Sequence, residues 1–392
     1  MASSVTEAPS SRRTLVLASL AHAVHDGFTD MIYVLLPPWQ AEFSLDYVAL
    51  ALLRALYVGV LAALQVPSAR LARRVNARTV LAVGTFLSAT GYALAGVSGG
   101  LVGLCASLAL AGAGGSTQHP LASAAVSRAY GVRARGPLGT YNFAGDLGKA
   151  ALPPLMSLLL TVMHWRSTLW VAAGLGFLVA VLIRSLMPPV PAPPIELETI
   201  GVPEEEISGK GGFALLFLIG VLDTATRMGL LLFLPFLLKT KGAALTTVGL
   251  GLSLVFIGGA FGKAACGWLG ARLGLLATVL STEVGTAATI LGLVILPLGP
   301  SLILLPLLGV MLNGTSSVLY GTVPELVAAS RIERAFAVFY TGILGSSALA
   351  PVLYGRLGDA AGLVWATIAA AFTALAVVPL MIILSSTTLD RA

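Results

Sequence analysis

The sequence predicts an all-α, polytopic membrane protein with twelve transmembrane helices in two six-helix bundles, and three observations carry that prediction. Of its 392 residues 57% are hydrophobic and only 10% charged, with a mean hydropathy of +0.93, against about 25% charged in a soluble domain. Apolar runs of roughly 20 residues, the length that spans a bilayer as helix, recur twelve times along the chain. These runs form two sets of six that repeat one another at a nearly constant offset.

Residues 1–13 are polar and read as a disordered cytoplasmic tail, with Arg12 and Arg13 at the membrane edge. The first apolar run is too long for a signal-peptide core, so no cleaved leader is expected. Runs at 15–39, 47–69, 79–97, 101–127, 137–163 and 166–187 make an N-terminal bundle over 14–187. Residues 188–212 turn Pro-rich and acidic, the composition of an extended, solvated cytoplasmic linker. Runs at 213–238, 245–269, 275–297, 300–329, 334–357 and 361–385 make a C-terminal bundle over 213–385, followed by a cytoplasmic tail over 386–392. Cys105 and Cys266 lie inside apolar runs without CxxC spacing, so they read as packing residues.

Loop charges give the orientation. With the N-terminus inside, fifteen cations collect on the cytoplasmic side: Arg12, Arg13, Arg70, Arg73, Arg74, Arg78, Arg128, Arg133, Arg135, Arg184, Lys210, Arg272, Arg331, Arg334 and Arg391. Only Arg166, Lys239, Lys241 and Arg356 fall outside. The positive-inside rule then predicts a multi-pass protein of the cell (inner) membrane with both termini cytoplasmic. The net charge of +6 is thereby a topology signal and calls for no nucleic-acid partner.

The first run carries His22, His25, Asp26 and Asp30 near its middle. A carboxylate at that depth costs at least about 2.5 to 3.5 kcal/mol, so such groups face a bundle interior or a wet cavity and mark an ion or substrate pathway. His22, Asp26 and Asp30 follow at spacings of four, which stacks them on one helix face.

The halves match at an offset of 197 through Asp26/Asp223, Met31/Met228 and Pro38/Pro235, and again through Gly145/Gly342, Gly148/Gly345 and Pro154/Pro351. Leu71 and Arg74 match Leu269 and Arg272 one residue further on. Six helices per half make the repeats parallel, with the substrate cavity expected at their interface.

This arrangement resembles the major facilitator superfamily. The motif G-x-L-x-D-R-x-G of that family has a degraded copy at Ala69-Arg70-Leu71-Ala72-Arg73-Arg74-Val75-Asn76 and a fuller one at Gly267-Trp268-Leu269-Gly270-Ala271-Arg272-Leu273-Gly274, with a third echo at Gly355-Arg356-Leu357-Gly358-Asp359. Both of the first two copies lack the acid. His22-x3-Asp26 with Leu35-Leu36-Pro37 and Glu42-Phe43, and His119-Pro120-x-Ala122-Ser123, are similar to the fosmidomycin-resistance type of efflux protein within that superfamily. The resemblance implies proton-driven antiport of a small molecule, fosmidomycin being a phosphonate, powered by the proton gradient with no cofactor. It also implies drug resistance as a physiological role. The expected partners are the substrate, protons and the lipid bilayer, the expected state is a monomer, and no enzymatic activity is implied.

Several side chains are candidates for that work. Asp26 is the first choice for proton coupling, with Asp30 and His22 able to share its proton and Glu283 as a further acid. Asp146 with Lys149, and Asp223 with Arg227, sit three and four residues apart and can neutralise themselves along one helix or meet substrate. Arg54 and Lys263 have no such local partner and suit an anionic substrate. Tyr33, Tyr57, Tyr141 and Asn142 are candidate pocket residues, and His119-Pro120 marks a break in the fourth run near the cavity floor. Arg73, Arg74, Arg272 and Glu325 are candidate gate residues. Gly112, Gly114, Gly115, Gly145 and Gly148 permit close helix approach.

Two other readings remain open. Uptake of a small organic anion by proton symport is the nearest alternative, because orientation follows from the loop charges while the direction of flux does not. A transition-metal or metal-chelate carrier also fits, since His22, His25 and Asp26 gather two imidazoles and a carboxylate on about one turn. No Ser-His-Asp spacing, zincin motif or phosphate loop points to an enzyme.

Overall fold

The computed structural model describes residues 9–189, 210–327 and 332–389. In order these form α1 (Pro9–Phe43), α2 (Tyr47–Arg74), α3 (Ala77–Ala95), α4 (Leu101–Gly115), α5 (Gln118–Tyr130), α6 (Arg135–Leu159), α7 (Trp165–Leu186), α8 (Lys210–Thr240), α9 (Leu245–Ile295), α10 (Leu298–Thr322), α11 (Ile332–Ala361) and α12 (Leu363–Leu389). Two short 3-10 turns, Gly131–Arg133 and Val323–Glu325, complete the description. No strand occurs among the described residues.

The helix boundaries follow local chemistry. α4 and α5 are one interrupted span: Pro120 has no N–H to continue the ladder, and the chain turns at Ser116 and Thr117 instead. α9 is two spans joined at Gly274, whose φ of 80° is a left-handed conformation that glycine adopts without a Cβ penalty. At the corresponding place after α2, Asn76 instead caps α3, its Oδ1 accepting from the Arg78 N–H at 2.8 Å. With α4 and α5 taken together and α9 divided, the described helices are consistent with twelve spans.

Nine stretches among the described residues are long and apolar enough by themselves to cross a membrane. α1, α3 and α6 are not among them. α1 and α6 carry the ionisable residues of the site, and α3 is diluted by Thr79, Thr85, Ser88 and Thr90. These three depend on the bundle to enclose their polar faces. Large apolar side chains such as Val102, Ile295 and Ile303 are more than four-fifths exposed, as lipid-facing residues are.

Three expected boundaries move. α1 is already helical at Pro9, inside the expected tail, where Ser11 Oγ donates to the Ala129 carbonyl at 2.9 Å. α8 is described from Lys210, inside the expected linker, and α12 as far as Leu389, inside the expected tail. The remainder of the expected linker, 190–209, lies outside the described residues, as do 1–8 and 390–392.

By backbone contacts the chain divides into two compact units. One contains α1 as far as Pro38 and the chain from Leu56 through α7; the other contains Trp39–Ala55 together with α8–α12. The first hairpin tip therefore groups with the second unit, a finer division than two blocks at 14–187 and 213–385. In the first unit α3 packs on α4 and α7, and Tyr92 donates to the Phe28 carbonyl at 2.7 Å while the two rings meet edge to face. In the second, α8 packs on α11 and α12 around a core of Leu216, Ile219, Phe339, Val377 and Met381.

The third motif echo has a structural use within the second unit. Asp359 accepts from the Tyr47 and Val48 N–H groups at 2.8 and 3.0 Å, so it caps α2 from α11 and meets the positive end of that helix dipole. The Tyr47 ring sits against Phe233 and Phe236, and a side chain at Gly355 would collide with the Tyr47 backbone.

Candidate functional site

The N-terminal unit gathers its ionisable groups around Asp26. Lys149 Nζ lies 3.2 Å from Asp26 Oδ2, and His22 Nε2 and His119 Nε2 lie 3.4 and 3.8 Å from Oδ1. Asp26 is 9% exposed at its side chain, Lys149 29% and His119 46%, so the cluster is buried on the α1 side and open at α5. The His22 ring stacks on Tyr141 at 4.1 Å, and its Nδ1 is 2.8 Å from the Tyr141 carbonyl oxygen. A carbonyl only accepts, so Nδ1 carries the hydrogen and Nε2 faces Asp26.

Close approach of α6 to α1 makes this geometry possible. A Cβ at Gly145 would stand 2.6 Å from His22 Cε1 and 2.7 Å from Asp26 Oδ2, and one at Gly148 would strike the Ala23 carbonyl. These two glycines bring Lys149 and the Tyr141 carbonyl onto α1. Lys149 makes an ion pair across helices to Asp26, and Asp146 on its own helix remains within electrostatic range of it.

His25 does not join the group. On a helix each residue turns by about 100°, which separates adjacent His25 and Asp26 by that angle. Its ring points toward Gly115 instead and touches His119 edge to face at 5.0 Å. Among the described residues the ligand-type atoms that converge are those of His22, Asp26 and His119, all within 4.8 Å of one another. The expected trio of His22, His25 and Asp26 is corrected accordingly.

The second unit holds a different arrangement. Asp223 on α8 and Glu283 on α9 are buried and lie within interaction range of each other. Thr315 Oγ1 donates to Glu283 Oε1 at 2.7 Å and itself lies 2.7 Å from Thr282 Oγ1. Arg227, one turn after Asp223, reaches Asn313 Oδ1 at 3.4 Å and lies within electrostatic range of both acids. Thr315 and Asn313 escaped sequence reasoning, since isolated polar residues in an apolar run carry no spacing signal.

The other candidates fall as follows. Asp30 is buried on α1, one turn beyond Asp26. Tyr33 and Tyr57 are fully buried, with the Tyr57 hydroxyl 3.1 Å from Thr29 Oγ1, so both are packing residues in this conformation. Tyr141 contributes its ring and carbonyl, Asn142 is exposed, and Asp146 is half-buried. Arg54 is 3% exposed and Lys263 half-buried; both engage other groups, so their isolation in sequence does not carry into space. Arg73 and Arg74 end α2, where cations meet the negative end of the dipole. Arg272 is exposed with its guanidinium 4.1 Å over the Trp268 ring, and Glu325 is exposed in a 3-10 turn.

The description "Major Facilitator Superfamily" matches residues 18–213, half of the chain. The chain belongs to that superfamily. It is therefore a multi-pass membrane transporter and not an enzyme, as expected. The fold agrees with three solved transporters. A bacterial homologue of the human lysosomal transporter Spinster, in an inward-facing and occupied conformation, is 15% identical with a TM-score of 0.83, over 98% of both chains. The nucleoside transporter NupG, as a mutant, is 12% identical with a TM-score of 0.80, over 95% of this chain and 99% of its own. The human organic anion transporter TETRAN is 16% identical with a TM-score of 0.69, over 95% of this chain and 100% of its own. At these identities the likeness concerns the fold alone. No curated protein sequence matches the chain.

Proposed function

We propose that the chain is a proton-coupled antiporter that exports a small drug-like or phosphonate-like molecule across the inner membrane by alternating access, with both termini cytoplasmic. The observation that carries this reading is the burial of two acids, Asp223 and Glu283, within interaction range of each other and of the Arg227 guanidinium. A proton shared between two such neighbouring carboxyls relieves their mutual repulsion. With that proton the pair and Arg227 sum to zero charge; without it they carry one negative charge at membrane depth, which is costly. Glu283 and Asp223 thereby become the proton carriers of choice. Asp26, which the sequence favours, already has Lys149 as its counter-ion.

Charge balance sets the direction of coupling. A substrate that brings a cation or a hydrogen-bond donor to the acids takes the place of the proton, which is exchange. An anion bound against the acids themselves retains the proton, which is co-transport, so a phosphonate fits exchange by binding apart from them. Support for export comes from the two local patterns of the fosmidomycin-resistance type, His22-x3-Asp26 and His119-Pro120, whose imidazoles both face Asp26. The second reading, uptake of a small organic anion by symport, draws on the half-buried cations Lys149 and Arg227.

The experiment is a screen of purified protein in proteoliposomes with a trapped pH dye, against phosphonates, sugar phosphates, organic acids and cationic drugs. Proton movement opposite to the substrate is the expected result. Movement in the same direction replaces antiport by symport, and transport without proton movement removes coupling altogether.

A further inference from the structure

We propose that His22 Nε2, His119 Nε2 and Asp26 Oδ1 form a binding site for a divalent transition-metal ion, independent of the Asp223–Glu283 pair and of the proton reading. Two imidazole nitrogens and one carboxylate oxygen are the donor set that zinc, cobalt, nickel and ferrous ions share, with open positions left for water or a chelating molecule. Bonds of about 2.1 Å at a tetrahedral angle place donor atoms about 3.4 Å apart. The contacts of Asp26 Oδ1 with the two imidazoles are 3.4 and 3.8 Å. All three donors lie within 4.8 Å, and the half-exposed His119 is the one with freedom to close in.

Four features around the donors act as support. The Tyr141 carbonyl holds the His22 Nδ1 hydrogen at 2.8 Å and so directs the Nε2 lone pair inward, the usual outer contact of a metal-bound histidine. Lys149 occupies Asp26 Oδ2 and leaves Oδ1 available. Gly145 keeps clear the space a side chain would take beside His22 and Asp26. His119, at 46% exposure, provides the way in, which a bindable site needs. The Lys149 ammonium also repels a dication, so the site suits a transported or exchangeable ion better than a permanent structural one.

The test uses tag-free, full-length protein in detergent and cobalt(II) as the probe. One ion per chain is expected, with the intense visible absorption of a low-coordinate nitrogen and oxygen site. His119→Ala is expected to weaken binding at least about tenfold. Its half-exposed position leaves the Asp26–Lys149 pair in place, and His119→Gln serves as a second variant if alanine disturbs the fold. Lys149→Met is expected to tighten binding, the opposite of what loss of a merely structural ion pair would do. Absence of cobalt binding to the wild type up to millimolar concentration, or binding indifferent to both His119 variants, overturns the proposal.

Discussion

Gly145→Ala tests the packing of α6 on α1, which supports the whole N-terminal cluster. The new methyl would stand 2.6 Å from His22 Cε1, 2.7 Å from Asp26 Oδ2 and 2.8 Å from His22 Nε2. An ordinary contact needs 3.4 Å or more, so something retreats by about 0.8 Å. His22 cannot retreat freely, since it stacks on Tyr141 and bonds that residue's carbonyl, and Asp26 is held by Lys149. Overpacking of this kind costs about 1–3 kcal/mol, offset by the gain of about 0.5–1 kcal/mol for replacing glycine within a helix. The net expectation is a loss of up to about 2.5 kcal/mol, read as a lower thermal transition in detergent. Gly174→Ala on α7, where a Cβ meets nothing within 4 Å, isolates the helix term and should stabilise. If Gly145→Ala stabilises as much as Gly174→Ala, the close approach of α6 at this point is wrong.

Three further outcomes are expected. Lys149→Met leaves the Asp26 carboxylate without its ammonium partner; breaking a buried pair costs about 3–5 kcal/mol, and the two neighbouring imidazoles bring the expectation to the lower end, measured as a fall in melting temperature that Lys149→Arg largely avoids. Asp359→Asn keeps one acceptor oxygen for the two N–H groups at the start of α2 and loses the charge, so stability should fall by about 0.5–2 kcal/mol; an unchanged transition would show that the cap contributes nothing. Gly274→Ala forces a side chain into φ of 80°, a cost of about 1–2 kcal/mol that Gly299→Ala, in open space, should not share.

The apolar runs were legible because a membrane span needs length and composition, and neither depends on neighbours. Asp26 stood out for the same reason, as a charge where lipid would surround an isolated helix. Its partners were hidden: Lys149 is far along the chain, and nothing in a sequence marks a pair made across helices. Spacing even misled, because His25 invited grouping with His22, while the helix rotation turns it toward Gly115. The repeat matched Asp26 with Asp223, yet one carboxylate meets an ammonium and the other a second acid. Gly274 was visible as the last glycine of its motif copy, though its left-handed backbone was not. The end of the third echo gave no sign that Asp359 caps α2.

The central claim is that the Asp223–Glu283 pair carries the coupling proton. Glu283→Gln in proteoliposomes with a trapped pH dye addresses it directly, since the amide keeps the shape and cannot release the proton. The account predicts that this variant still exchanges substrate across equal concentrations, while the substrate-evoked pH change and accumulation against a gradient disappear. A pH change and accumulation equal to those of the wild type would contradict it.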